Sequence, residues 1–334
     1  MKKVVAFLAI ILCMTMLTGC GKTDKQSILK KMNTNLSNSK GYQLKADLEL
    51  INNDESYKYD VVVSYKKKDY YRVALMNKIN NHEQIILKNK NGVYVLSPIL
   101  NKSFKFQSNW PYNNSQSYLP QSVINDLRSD ENVKMKKTKD GYIFVSKVNY
   151  KNNANLTHQE VIIDKNLNIK SVNVLDDDEN PQIKVNYKTF DKNAKFKKNY
   201  FVLESNMKST SINSKKSKKT AKLEDAIYPM YLPENTYLDT EKVVDLSNGS
   251  RIILSFAGDN PFMLVEEVVH KSDDFEVIPT SGDVDMSAFG AIIVDDASVS
   301  WVNGDVEYYL VSSVLSQSEL VKVANSISTL PVSK

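Results

Sequence analysis

Two cysteines and three histidines in 334 residues leave little for metal or redox chemistry. Cys13 and Cys20 both lie at the N-terminus, so the rest of the chain has no thiol for a disulfide, a metal or a covalent intermediate. His82, His158 and His270 stand 76 and 112 residues apart, and none sits in the His-x-x-x-His frame that sets two imidazoles on one helical face. Ten scattered glycines give neither a phosphate loop nor a dinucleotide fingerprint, and Gly249-Ser250 lacks the second glycine of a hydrolase elbow. The acidic clusters at Asp176 to Glu179, Asp273-Asp274 and Asp295-Asp296 read as polar turns between strand-like runs, and Asp283-x-Asp285 is too small a fragment for a calcium loop. No enzyme and no cofactor are expected. Arginine is scarce as well, 3 against 41 lysines, while 42% apolar and 25% charged residues exclude a disordered chain.

What the chain does have begins at its N-terminus. Met1-Lys2-Lys3 precedes a mostly apolar run from Val4 to Leu17, and then comes Leu17-Thr18-Gly19-Cys20. Fourteen residues rise about 21 Å as a helix, less than the roughly 30 Å of a hydrocarbon core, so the run reads as a secretion signal ending in a lipobox. Cleavage is expected between Gly19 and Cys20, with Cys20 taking the diacylglycerol; two acyl chains anchor firmly where one is marginal. The sequence thus predicts a signal peptide at 1–19, a tether at 20–23 and a protein held on the outer face of a membrane.

Ile28, Leu29, Met32 and Leu36 share one helical face after a start that Thr23 or Asp24 is placed to cap. After Gly41 the period changes to two: Tyr42, Leu44, Ala46, Leu48 and Leu50 alternate with polar residues, and Tyr57, Tyr59, Val61, Val63 and Tyr65 repeat the pattern. About eleven such strands run to Tyr187 in one meander, interrupted by a helical stripe through Val123, Ile124 and Leu127. Tyr57, Tyr59, Tyr65, Phe104, Phe106 and Trp110 crowd this region and are the candidates for a groove or sheet-face site. A lysine-rich, apolar-poor stretch follows, read as a linker at 206–222. Before residue 223 the chain carries 39 Lys+Arg against 20 Asp+Glu, and from there on 5 against 19, so docking between oppositely charged units is expected. The last 110 or so residues close with Ser316-Gln317-Ser318-Glu319, a capping box stapled by Leu315 and Leu320.

The lipobox, amphipathic helix and helix-interrupted meander resemble the LolA/LolB/RseB superfamily. Trp301, Asn303-Gly304, Val306, Tyr308, Leu310, Ser313, Leu315-Ser316, Glu319-Leu320, Ala324 and Ser326-Ile327 look like a small C-terminal domain found in many anti-sigma and sporulation proteins of low-GC Gram-positive bacteria. The combination is similar to the YdcC-like and GerS-like sporulation and germination lipoproteins. The resemblance implies a mostly β (α+β) protein: a curved, unclosed antiparallel half-barrel covered by helices at 24–205, then a smaller α+β domain at 223–330. It further implies a non-enzymatic binding or scaffolding protein in sporulation, germination or envelope remodelling, with an envelope or spore protein as partner; GerS-like members support a cortex-modifying amidase. An alternative is a LolA-like groove that receives lipid or lipoprotein. A secreted location argues against nucleic acid, and an exposed edge strand allows a homodimer.

Overall fold

The computed structural model describes residues 24–52, 55–208, 223, 225–246, 249–268, 275–287, 289–303 and 306–327. The signal segment, Gly19, Cys20, the tether, His270, Asp273, Asp274 and the linker from 209 to 222 lie outside the described residues.

Helix α1 (Lys25–Ser37) buries Ile28, Leu29, Met32 and Leu36, the stripe its spacing predicts; Asp24 stands at the N-cap without a side-chain cap bond. Six strands follow: β1 (Gly41–Asn52), β2 (Glu55–Lys66), β3 (Tyr70–Asn77), β4 (Glu83–Asn89), β5 (Gly92–Ser97) and β6 (Lys102–Phe106). Helix α2 (Pro120–Ser129) separates them from β7 (Lys134–Lys137), β8 (Gly141–Lys147), β9 (His158–Asp164), β10 (Ile169–Leu175) and β11 (Pro181–Asp191). The strands are not one meander. They form two, β1 to β6 and β7 to β11, joined where β1 pairs antiparallel with β11. Crossing over through α2 places β7 at the far end, so that the longest strands meet in the middle.

The sheet has 12 strands, which laid flat at about 4.8 Å spacing would span roughly 50 Å. Yet α1 and α2, each about 10–12 Å across, share one core with Phe106 near one end and Phe144 near the other. The sheet therefore curls around the helix pair, and its ends stay open. Around β4 and β5 it is covered on the outside too: Ile85, Leu87, Tyr94 and Leu96 pack under Phe201 and Met207, the latter on the short helix α3 (Leu203–Lys208). Arg72 Nε donates to Asn206 Oδ1 at 2.6 Å, fastening α3 to the sheet. Burial on both faces explains why β4 and β5 read as continuous apolar runs rather than alternating ones.

The second sheet has 7 strands in the order β12-β13-β14-β19-β18-β17-β16. These are β12 (Thr236–Leu246), β13 (Gly249–Gly258), β14 (Phe262–Val268), β16 (Asp283–Ser287), β17 (Gly290–Val294), β18 (Ser298–Asn303) and β19 (Val306–Val311). Helix α4 (Gln317–Asn325) covers one face with Leu320, Val321, Val323 and Ala324. Ser316 caps it by accepting from Glu319 N at 3.3 Å. The Glu319 carboxylate accepts from Tyr231 Oη instead, at 2.8 Å, so only half of the expected capping box is made with Ser316. The strand β15 (Glu276–Thr280) leaves this sheet and pairs parallel with β6, becoming the edge of the first. Val284 and Ala291 likewise belong to the first core. Gly290 sits at φ 97°, where a Cβ would come within 2.2 Å of Gln84 Oε1; its absence lets Gln84 accept from Ala291 N at 2.8 Å and tie β4 to β17.

Leu29→Ala, at a fully buried position of α1, is expected to cost about 2–5 kcal/mol of unfolding free energy. Ile79→Ala, at a position 79% exposed, is expected to stay within about 0.5 kcal/mol of the parent. Urea denaturation followed by circular dichroism measures both.

Candidate functional site

The six aromatics singled out from the sequence do not line an open groove. Tyr59, Phe106 and Trp110 are buried, while Tyr57, Tyr65 and Phe104 are half-buried against the same core. Tyr65 packs on Tyr42 and Tyr71 at 5.2 and 5.0 Å between ring centres, and Tyr71 meets Trp110 edge-on at 5.8 Å. This run of rings fills the sheet's concavity together with α1 and α2. One opening there holds about 40 Å³, at a mouth lined by Met32, Leu36, Tyr42, Ile124, Tyr187 and Phe190. Tyr57 reaches further, meeting Phe289 edge-on at 5.8 Å and touching the second core as well.

The large opening lies elsewhere. A cleft of about 550 Å³ runs between the ends of β1 and β11 and the face of α4. Its first wall is Asn52, Gln182 and the β8–β9 loop through Asn152, Asn153 and Asn155; its second is Ser318, Glu319, Lys322 and Asn325 of α4, with Tyr231 beside them. The helical period brings Ser318, Lys322 and Asn325 to one side of α4. The lining is thus rich in carboxamides, each of which both donates and accepts. Its charges are engaged: Asp176 accepts from Gln182 Nε2 at 2.7 Å, Glu319 accepts from Tyr231, and Lys322 Nζ stands 3.9 Å from the Tyr231 ring centre. Asp176 is held below the usual carboxylate range by backbone N–H groups and Gln182, against a desolvation that would raise it.

At its base the two walls are clamped by acids of β16. Asp285 accepts from Asn152 Nδ2 at 2.9 Å and Asn114 Nδ2 at 3.4 Å, and Asp283 accepts from Asn113 Nδ2 at 2.5 Å and from Ser108 Oγ. The Asp283-x-Asp285 pair therefore works as a docking clamp on amides of the first unit. Among the described residues no three His, Cys, Asp or Glu side chains gather as a metal site. At the top, Asn52 Nδ2 donates to the Asn325 carbonyl and Ser318 Oγ lies 3.5 Å from the Asn152 carbonyl. Tyr231 is positioned from behind: Glu266, fully buried on β14, accepts from Ile227 N with both oxygens at 3.1 Å. The amide wall was passed over in the sequence. Its one signal is a run of three asparagines in four positions.

Burial pushes the Asp285 carboxyl up, and it lifts Glu266 to about 7, the Ile227 N–H opposing and the charge of Glu241 adding to the rise. Asp126 is pushed up to about 7 by burial, the Ser115 hydroxyl opposing.

A family profile described as "Sporulation protein YdcC-like" matches residues 1–201. Over 327 residues the chain is 33% identical to Sporulation protein YdcC of Bacillus subtilis (strain 168), covering 98% of this chain and 97% of that protein. Among solved structures, a chain of the Pseudomonas aeruginosa MucA/MucB complex aligns with TM-score 0.34 and 11% identity over 91% of this chain and 97% of that one. The LolA superfamily protein of Nitrosomonas europaea aligns at 0.32 and 11%, over 54% and 98%. A chain of the Clostridioides difficile CwlD amidase complex with the GerS lipoprotein aligns at 0.22 and 19%, over 51% and 97%.

Glu266 is protonated in the folded state over a range where the unfolded carboxyl, near 4.5, has released its proton. Its contribution to stability is therefore complete below pH 4.5 and is lost as pH rises through 7. Urea midpoints between pH 5 and 7.5 are expected to fall with rising pH. Glu266→Gln, which keeps an acceptor for Ile227, is expected to flatten that fall, and Asp126→Asn to flatten it further.

Proposed function

The chain belongs to the YdcC-like sporulation protein family, and from that premise we propose that it is a non-enzymatic, membrane-anchored lipoprotein whose cleft between the two sheets holds a binding partner during sporulation, germination or envelope remodelling. The observation that carries this reading is the contrast between its two concavities. The pocket at the mouth of the curled sheet's apolar interior holds about 40 Å³, room for no more than a few waters, whereas ligand pockets run to several hundred Å³. That contrast favours the cleft over a lipid-carrying groove. The cleft offers about 550 Å³ and a lining of Asn52, Asn152, Asn153, Asn155, Gln182 and Asn325.

Carboxamides that donate and accept, beside charges that are already engaged, suit an uncharged polar ligand such as the backbone of an extended peptide. The reading without catalysis rests on the side chains available: no cysteine follows Cys20, and His82 and His158 stand at the start of β4 and on β9, away from the cleft. The anchor rests on Leu17-Thr18-Gly19-Cys20 after a basic and apolar start. Among the described residues no helix is long and apolar enough to cross a membrane.

Two variants test the proposal. Cys20→Ala is expected to abolish labelling by radioactive palmitate and to move the protein from the membrane to the soluble fraction; unchanged attachment overturns the anchor. Ala154→Arg/Asn155→Arg fills the cleft from two exposed positions. It is expected to leave the thermal midpoint within about 2 °C of the parent and to fail to complement sporulation in a deletion strain. Full complementation by that variant overturns the cleft as the binding site.

A further inference from the structure

Each sheet of this protein has two ends, and three of the four are guarded. The strand β7 is four residues long and carries Lys134, Lys136 and Lys137. β15 is five residues long and contains Pro279. β16, also five long, has its acids bonded to the loop from Ser108 to Asn114. Short edges, lysines, prolines and covering loops are the usual defences against unwanted strand pairing. The fourth end is unlike the others. β12 runs for 11 residues without a proline, seven in succession are exposed, and among the described residues only β13 pairs with it. Tyr237 and Val243 on it are 59% and 56% exposed, and Met230, on the segment lying between it and the end of α4, is 79% exposed.

The register says what this edge presents. Leu238, Glu241, Val243 and Asp245 pair with Phe256, Leu254, Ile252 and Ser250, all buried on the face under α4, so these four share that inner face. Tyr228 Oη donates to Glu241 at 2.5 Å and extends the same surface. Apolar and acidic side chains thus alternate along one side of a free strand. Thr240, Lys242 and Val244 face the other way.

A second copy of this chain fits poorly in the registers that pair the strand through its middle. An antiparallel pairing of β12 with itself about a two-fold axis sets each residue opposite one on the same face. Centred on Asp239, Glu241 or Lys242, it faces a charge with its own copy; centred on Thr240 it faces Asp239 with Glu241, and centred on Val243 it faces Glu241 with Asp245. Like charges directly opposite are destabilising. The charges that oppose self-pairing in those registers suit a strand of complementary charge.

We propose that the β12 edge takes up an extended segment of a partner protein as an eighth strand, the segment carrying basic and apolar side chains by turns on the face that meets Asp245, Val243, Glu241 and Leu238. Main-chain bonds to the edge supply the affinity, and the alternating face supplies the choice of partner. The C-terminal part as a whole, with 5 Lys+Arg against 19 Asp+Glu, adds long-range attraction for a basic segment. This surface is separate from the cleft and goes beyond the binding role proposed above.

The probe is a fluorescein-labelled peptide, Thr-Lys-Thr-Ile-Glu-Lys-Thr-Val-Thr, which run antiparallel sets lysines against Asp245 and Glu241 and isoleucine against Val243. Its twin has every charge inverted. Anisotropy titrations with the full chain in detergent are expected to show the first peptide bound in preference to the second. Glu241→Lys/Asp245→Lys is expected to weaken the first by roughly tenfold and to reverse the preference. Amide hydrogen exchange is expected to slow at 237–245 in the complex. Equal binding of both peptides, no binding of either, protection confined to the cleft, or a native dimer dissolved by the same variant would each overturn the proposal. Ala154→Arg/Asn155→Arg is expected to leave peptide binding intact, so failure of the cleft and failure of the edge are told apart.

Discussion

The packing of α1 and α2 into the concave face of the first sheet is the interaction on which everything else in this molecule depends. A 12-stranded, mostly antiparallel sheet exposes an apolar face far larger than two helices of 13 and 10 residues cover if it lies flat. Curling brings strands from both ends onto the same helices, and Leu29, Val123 and Leu127 then stand fully buried among Val63, Val73, Phe144 and Val161. Each side chain placed in that concavity removes space from it. Tyr42, Tyr71 and Trp110 complete the filling, so the sheet that looks from its topology like a vessel is a solid core. Stability and an internal binding cavity compete for the same volume here, and stability has taken nearly all of it.

That competition explains which features were legible beforehand. The amphipathic stripe of α1, the alternation in β1 and β2, and the Ser316 cap with its Leu315 and Leu320 staple were all readable because each depends on residues close in sequence. The aromatic crowding from Tyr57 to Trp110 was readable too, but its meaning was not: the same rings line a groove or fill a core, depending on where α2 lies. Strand β12 was hidden by a composition that matches a solvated loop, since seven successive residues are exposed and only β13 fixes them in an extended form. β15 was hidden by distance. Five residues between Glu276 and Thr280 join a strand some 170 positions earlier, and no local period announces that.

The seam between the two sheets departs from what net charge alone led one to expect. The excess of lysine before residue 223 and of acid after it pointed to ionic docking. An ion pair does cross, Lys102 Nζ to Glu307 Oε2 at 3.0 Å. The hydrogen bonds named around the cleft nevertheless run chiefly through amides: Asn113 and Asn114 to the acids of β16, Asn152 to Asp285, Asn52 to the Asn325 carbonyl and Gln84 to Ala291. Amides serve at a buried seam because they lose less on desolvation than lysines do. The acids they bind bear that cost instead, as the raised pKa of Asp285 reports. The excess charge is left facing solvent.

A filled core and a seam clamped at both ends leave some surfaces that packing does not finish. There are two, and they differ in kind. The cleft is bounded chiefly by carboxamides that donate and accept, beside Asp176, Glu319 and Lys322. The β12 edge is bounded by backbone groups and alternating acids, so charge and strand propensity decide what joins it. They stand on opposite sides of α4 in role, yet one short segment serves both: Tyr228 bonds to Glu241 on β12, Ile227 to the buried Glu266, and Tyr231 to Glu319 at the cleft. Glu266 holds the start of that segment, at Ile227.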